Sequence, residues 1–138
     1  MSENSGTSGC CIGGYHSCTG TQAYAEFSYI GTAGAFAEDV AALSHEVGEW
    51  MDDPETNNTN VPALCGEDGN RSQILEVSDP EEVDANYGTF PYTLNGFTYH
   101  LQDLVYLEYF GAPTTTSVGG EMTFQNNPFD LTVCSNGG

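Results

Sequence analysis

The chain has 138 residues, of which 20 are Asp or Glu and only one, Arg71, is basic, so its net charge at pH 7 is −19. This length fits one domain with its own core and is too short for two. Such an acidic surface repels nucleic acid and anionic membranes, which argues against both as partners, and it attracts divalent cations or basic peptides.

Residues 1–9 are rich in Ser and Gly and predict a flexible N-terminal segment, so a single domain is expected over residues 10–138. No apolar run approaches the ~18 residues of a membrane span. A composition rich in Gly, Ser, Thr and Asn and poor in Lys is typical of a secreted, extracellular protein.

The cysteines are odd in number, which allows at most two disulfides and leaves one thiol, free or available for self-association. Cys18 is close enough in sequence to pair with Cys10 or Cys11, and a bond from Cys65 to Cys134 would tie the tail to the middle of the chain. The sequence leaves the pairing open.

The segment from Tyr24 to Ile30 alternates well enough to predict a strand. His16 precedes it in CIGGYHSC, and we interpret it as a turn or surface residue, with a place lining a cleft as the alternative. A helix is then expected to begin near Phe36, with Glu38 and Asp39 in its first turns, where the helix dipole favours acidic side chains.

The central segment is AALSHEVGEWMDDP, residues 41–54. One predicted stripe of this helix is apolar and expected to be buried, because its members recur at three- and four-residue steps: Val40, Leu43, Val47, Trp50 and Met51. A second stripe carries His45, Glu49 and Asp52, with Glu46 beside His45. Pro54 predicts that the helix ends near Asp52.

Four carboxylates crowd the C-terminal half of this helix, where the dipole favours Lys or Arg: Glu46, Glu49, Asp52 and Asp53. Each misplaced charge costs about 0.3–1 kcal/mol, and like charges three or four residues apart cost a few tenths more. The segment holds no Lys or Arg. A bound cation would offset this repulsion, and His with carboxylates is a ligand set suited to zinc.

A long irregular acidic connection follows Pro54 and leads to ILEVSDP. In that segment Ile74, Leu75 and Val77 are expected to be buried. Glu76 and Asp79 are either part of a solvated acidic turn or members of a metal site.

The Asn95-Gly96 pair predicts a two-residue β-hairpin turn flanked by aromatic residues. His100, on the second strand, is either a packed residue or a reserve metal ligand. The segment of residues 101–110 fits a core strand or a short helix equally well.

Taken together, SHEVGEWMDDP, the upstream GGYHSCTGTQAYAEFSYI and the downstream ILEVSDP and NGFTYHLQDL resemble a group of secreted bacterial proteins of zincin-like metalloprotease type. In zincins, HExxH on a helix supplies two zinc ligands and a general base. Here the second His is Glu49, giving HExxE. The resemblance implies an α+β, zincin-like fold: a small mixed sheet packed on one active-site helix, a long irregular acidic loop and a C-terminal β-hairpin.

The resemblance also implies roles for individual residues. His45, Glu49 and Glu76 would bind Zn²⁺, with His100 or Asp53 as alternatives for the third ligand. Asp79 and Asp53 would lie in the second shell, where Asp79 orients His45. Glu46 would be the general base, and Tyr99 or His100 would stabilise the oxyanion.

Three functions follow as hypotheses. The first is zinc-dependent hydrolysis of a peptide or protein substrate. The second is a catalytically silent metal-binding module that acts as an extracellular structural or self-assembling subunit. The third, a calcium-dependent adhesion domain, rests on acidic composition alone, with Ca²⁺ bound near Asp52, Asp53 and the DPEEVD run.

Overall fold

The computed structural model of the protein describes residues 13–31, 38–59, 61, 64–65, 71–72, 75–81, 88–119 and 123–126. These form a small α+β fold, as predicted, with elements in the order β1 (Gly14–Thr19), β2 (Gln22–Phe27), α1 (Ala41–Asp52), β3 (Leu64–Cys65), β4 (Arg71–Ser72), β5 (Thr89–Leu94) and β6 (Phe97–Gln102). The described strands form separate two-stranded antiparallel pairs, β1–β2, β3–β4 and β5–β6, and not the predicted mixed sheet.

Both six-residue strand pairs are hairpins with tight turns. Gly20, at φ +64°, lies in the turn of β1–β2, where Thr19 pairs with Gln22. The predicted turn at Asn95-Gly96 is confirmed, since both residues have positive φ, 53° and 85°, as a type I′ turn requires. The strand predicted from Tyr24 to Ile30 is shifted, because β2 ends at Phe27.

Helix α1 ends at Asp52, as the position of Pro54 predicted, but it begins at Ala41 and not near Phe36. Glu38 and Asp39 therefore precede the helix. Asp39 has φ +46° and pairs with Ile30 in an isolated β-bridge, a conformation that cannot continue a right-handed helix.

The predicted orientation of α1 is wrong. Val47, Trp50 and Met51 are exposed at 40%, 42% and 73%, whereas the His and Glu stripe is buried. The inward face begins with the small residues Ala41 and Ala42. Strands β1, β2 and β6 pack on α1. A polar stripe can be buried only if its groups find partners, so other elements must supply partners for these side chains.

The apolar core lies beside α1 and is formed by Leu75, Val77, Val105, Tyr109 and Phe110, with Val61, Leu104 and Leu107 packed against it. The predicted burial of Leu75 and Val77 is confirmed, and Ile74 lies outside the described residues. The segment of residues 101–110 matches neither alternative, because β6 stops at Gln102 and a single 3₁₀ turn covers Leu107–Phe110.

The core segment is joined to α1 by a close contact. Gly48 faces Ser78, whose Oγ would lie 3.1 Å from a Cβ at position 48. The Ser78 hydroxyl also donates a hydrogen bond to the carbonyl oxygen of His45, at 3.1 Å. These contacts hold the segment that carries Glu76 and Asp79 against the His45 turn of the helix.

Cys18 carries a free thiol, so the predicted disulfide from Cys18 to Cys10 or Cys11 is not formed. Cys10, Cys11 and Cys134, like residues 1–9, lie outside the described residues, and only the backbone of Cys65 is described. None of the described helices has the length and apolar character that a bilayer crossing requires.

Candidate metal centre

Strand β1 supplies the first partner of the buried helix face. The His16 side chain is 1% exposed, and its Nδ1 lies 3.3 Å from Glu46 Oε2 and 3.3 Å from Glu49 Oε2. Its other ring nitrogen, Nε2, lies 3.2 Å from the carbonyl oxygen of Asp53. One imidazole thus joins two carboxylates of α1 to the backbone at the helix end.

His45 forms a second group on the other side of Glu49. Its Nε2 lies 3.1 Å from Glu49 Oε1 and 3.2 Å from Asp79 Oδ1. Each oxygen of Glu49 therefore faces a different histidine. We call His16, His45, Glu46, Glu49 and Asp79 the inner cluster. Its members form two overlapping triads, and within each triad the candidate ligand atoms lie within 4.8 Å of one another.

The charges of the inner cluster shift its pKa values. Hydrogen bonding to Glu49 is the main cause that raises the pKa of His16 to about 9. Burial lowers the pKa of His45, but the adjacent Asp79 and Glu49 carboxylates raise it well above its usual value. Burial also raises the pKa of Glu46. Burial raises the pKa of Asp79, but the hydrogen bond and charge of His45, together with hydrogen bonds to Glu76 and Glu49, lower it below its usual value.

Glu76 interacts with Asp79 and also with the charges of Glu49 and His16. Burial, followed by repulsion from Asp79, raises the pKa of Glu76 to about 8, and the two carboxyl groups share a hydrogen bond. The structure thus places Asp79, and not Glu76, against His45 Nε2. The sequence predicts Glu76 as the third ligand and Asp79 in the second shell, where it orients His45. The contacts instead put Asp79 nearer to a ligand position.

The donor set fits a divalent cation such as zinc. Imidazole nitrogens and carboxylate oxygens are ordinary zinc ligands. Glu49 is 2% exposed, and its Oε1 is buried without a hydrogen bond of proper geometry, although it lies close to His45. A buried carboxylate oxygen in this condition is costly unless a cation lies beside it, either a protonated His45 or a metal ion. Glu49 is therefore the strongest single indication of a metal.

A second cluster lies at the start of α1, and we call it the outer cluster: Glu38, Asp39 and His100. His100 Nδ1 lies 2.9 Å from Asp39 Oδ2 and 2.5 Å from Glu38 Oε1. Asp39 also accepts hydrogen bonds from the backbone amides of His100 and Val40. The structure thus brings His100 to the outer cluster and not to His45.

The remaining predicted site residues have other surroundings. Tyr99 is half-buried on β6 and pairs with Tyr92 across the hairpin, so it lies beside His100. The Asp53 carboxylate accepts hydrogen bonds from the amides of Asn57 and Asn58, at 3.2 Å and 2.9 Å, and closes the turn after α1. The Asp53 side chain thus stays in this turn, while its carbonyl oxygen contacts His16 of the inner cluster.

Sequence reasoning missed His16. The interpretation as a surface or turn residue is wrong, because His16 lies within β1 and is 6% exposed. One signal was present in the sequence. Four carboxylates without Lys or Arg in their own segment need a basic partner from elsewhere. The basic side chains of the chain are Arg71 and three histidines, so His16 was one of few candidates.

Comparison of the chain with protein-family models, with curated proteins and with solved structures returned no match. The resemblance to zincin-like metalloproteases therefore stays a prediction. The chemistry of His16, His45 and the carboxylates between them is therefore the basis for a proposed function.

Proposed function

We propose that the protein is a secreted, zinc-dependent hydrolase of peptide bonds whose metal lies in the inner cluster. Glu49 Oε1, buried beside His45 and without a hydrogen bond, is the observation that supports the metal. His45 and Glu49 would hold the ion with one carboxylate from residues 75–81, the segment that also supplies Leu75 and Val77 to the core. Asp79 is favoured by its contact with His45, and Glu76 is the alternative.

A zinc ion at this position would polarise the scissile carbonyl and make water a better nucleophile at neutral pH. The protein's own part is proton transfer and orientation. Glu46 follows the ligand His45 directly, so it shares the helix face without chelating the same ion. Burial raises the pKa of Glu46, which brings its proton affinity closer to that of a general base at neutral pH.

The second candidate function is a metal-binding module without catalysis. The burial of Glu46 favours it, because this residue is 4% exposed and one of its oxygens faces His16. A general base must reach water beside the substrate. Of the side chains around His45, that of Asp79 is the most open, at 38%, so any substrate would approach from the Asp79 side.

The test has two steps, metal content and then hydrolysis. The purified protein is analysed for zinc and calcium, and hydrolysis is measured on a peptide library that includes basic sequences, which suit a net charge of −19. We expect bound zinc, and we expect His45→Asn to lose it. Calcium without zinc would favour an adhesion domain, and absence of metal would overturn both candidate functions.

Glu46→Gln separates the two candidates. It should keep the ion at His45 and lower the rate of hydrolysis by about 10²–10⁴-fold, the usual contribution of acid–base catalysis. Equal rates for Glu46→Gln and the parent protein would show that Glu46 is not the base. A zinc-loaded parent protein that cleaves no peptide in the library would support the silent module.

A further inference from the structure

We infer that the inner cluster binds two divalent cations, the second held by His16, Glu46 and Glu49, with Glu49 as a bridge between the ions. This inference rests on the proposed function, which places the first cation at His45, Glu49 and Asp79. It adds a site on β1 that the HExxE motif does not contain.

The hydrogen count around His16 supports a cation. Its two ring nitrogens face three acceptors: the Asp53 carbonyl, Glu46 Oε2 and Glu49 Oε2. The contact with a carbonyl requires a hydrogen on Nε2. In the neutral ring Nδ1 then presents a lone pair to two carboxylates, which is repulsive. Something positive must lie between these three atoms, either a proton or a metal ion.

The distances match those expected between the ligands of a metal ion. Nδ1 lies 3.3 Å from both carboxylate oxygens, which is longer than the usual 2.9–3.0 Å of an N–H···O bond. Ligands bound at about 2.0–2.1 Å around a tetrahedral zinc lie roughly 3.3 Å from one another. The hydrogen bond from Nε2 to a backbone carbonyl is also the usual second-shell contact of a metal-binding histidine.

Glu49 links the two triads. Its Oε2 faces His16 and its Oε1 faces His45, and the residue is 2% exposed. With neutral histidines, the three carboxylates of the inner cluster, Glu46, Glu49 and Asp79, exceed the charge of one dication by one, and a second ion would offset this excess. Carboxylate bridges between two metal ions occur in hydrolases, where the ions stabilise both the attacking and the leaving oxygen.

The backbone of β1 is shaped around Glu46. A Cβ at Gly14 would lie 2.8 Å from both Cγ and Oε1 of Glu46, so only glycine fits there. Glu46 is thus held with Oε2 toward His16. It would bind the second ion through Oε2, while Oε1 lies against the backbone at Gly14.

The experiment is a zinc titration of the full-length, metal-stripped protein, in excess magnesium so that weak acidic surface sites are filled. Stoichiometry is measured by elemental analysis after gel filtration. We expect two zinc ions per chain for the parent protein and one for His16→Asn. Manganese gives an independent readout, because two ions that share a carboxylate give a spin-coupled electron paramagnetic resonance spectrum, which His16→Asn should convert to that of an isolated ion.

His100→Asn is the matched control, since His100 also contacts two carboxylates, and it should still bind two ions. One zinc per chain in the parent protein, unchanged by His16→Asn but lost in His45→Asn, would overturn the second site and leave the proposed function standing. No zinc in the parent protein would overturn both. Circular dichroism of each variant shows whether loss of an ion reflects loss of the fold. Glu46→Gln has a nearly isosteric side chain and should also bind one zinc ion in place of two.

Discussion

The inner and outer clusters use the same kinds of side chain in opposite ways. Each triad has one histidine and two carboxylates. In the outer cluster His100 is about one-third exposed, and Asp39 receives its hydrogen bonds from two backbone amides and the His100 ring. In the inner cluster the side chains of His16 and Glu49 are almost fully buried, and one oxygen of Glu49 accepts no hydrogen bond.

The difference shows that residue type and spacing do not define a metal site by themselves. The outer cluster is satisfied by its own N–H groups, so a cation adds little there. The inner cluster has more buried acceptor atoms than hydrogens to share, and burial makes that shortage costly. The predictions below test this contrast between the two clusters, beginning with the largest expected effect.

Glu49→Gln should abolish binding at the inner cluster. The Gln amide keeps the shape of the side chain but removes the negative charge of Glu49, which the two triads share. Loss of a contact that merely supports a metal ligand costs 10–100-fold in affinity, so loss of a shared ligand should weaken zinc binding by at least about 100-fold. Competition with a chromophoric chelator measures the affinity.

Asp39→Asn is the corresponding change in the outer cluster and should leave zinc affinity within a few-fold of the parent value. If Asp39→Asn weakened zinc binding as much as Glu49→Gln, the metal would belong to the outer cluster. Circular dichroism of both variants confirms that each remains folded.

Removal of the metal should destabilise the protein. A ligand at 100 times its Kd stabilises the native state by about 2.7 kcal/mol, which corresponds to roughly 10 °C in Tm for a chain of this size. Thermal unfolding with and without EDTA measures the change, and added zinc should restore the Tm. A Tm that EDTA does not change would show that the inner cluster is satisfied without a metal.

The metal-free protein should lose stability as the pH rises from about 6.5 to 9. His16, with a folded pKa of about 9 against 6.5, stabilises the native state fully below pH 6.5 and ceases to do so as the pH passes 9. Glu76 has a folded pKa of about 8 against 4.5 in the unfolded chain, so it also binds more protons in the native state. Its contribution to the free energy of unfolding therefore also decreases as the pH rises.

The combined loss between pH 7 and pH 9 should be about 3.5 kcal/mol, roughly 2 from His16 and roughly 1.4 from Glu76, because one pKa unit corresponds to about 1.4 kcal/mol. Thermal melts of EDTA-treated protein at several pH values measure it. Zinc-loaded protein should show a weaker pH dependence in this range, since the bound ion replaces the protons. Stability that rises with pH in the metal-free protein would contradict the assigned direction for both groups.

The sequence predicted the local features of the fold that depend on single residues. The hairpin turn follows from the tolerance of Asn95 and Gly96 for positive φ, and the end of α1 follows from the restraint that Pro54 places on its predecessor. The pairing of His45 with Glu49 follows from four-residue helical spacing. Each of these results depends on short-range geometry alone.

Features that depend on distant partners could not be predicted in the same way. The apolar stripe of α1 was expected inside, yet Trp50 and Met51 are exposed, because the polar stripe receives His16 from a strand 30 residues away from Glu46. His100 was a candidate ligand by residue type, but the register of β6 places it against Asp39. Periodicity identifies the two faces of a helix and does not show which one a distant segment will cover.

His100→Asn should produce the smallest effect. The ion pairs of His100 are partly exposed, and such pairs are worth about 0–1 kcal/mol, so Tm should fall by no more than a few degrees. Its backbone amide still donates to Asp39 in the variant, which preserves the contact between β6 and the start of α1. Zinc stoichiometry and affinity should match those of the parent protein. A loss of zinc in this variant would mean that zinc binds at the outer cluster through His100. The proposal that the buried histidines of the inner cluster bind the metal would then be wrong.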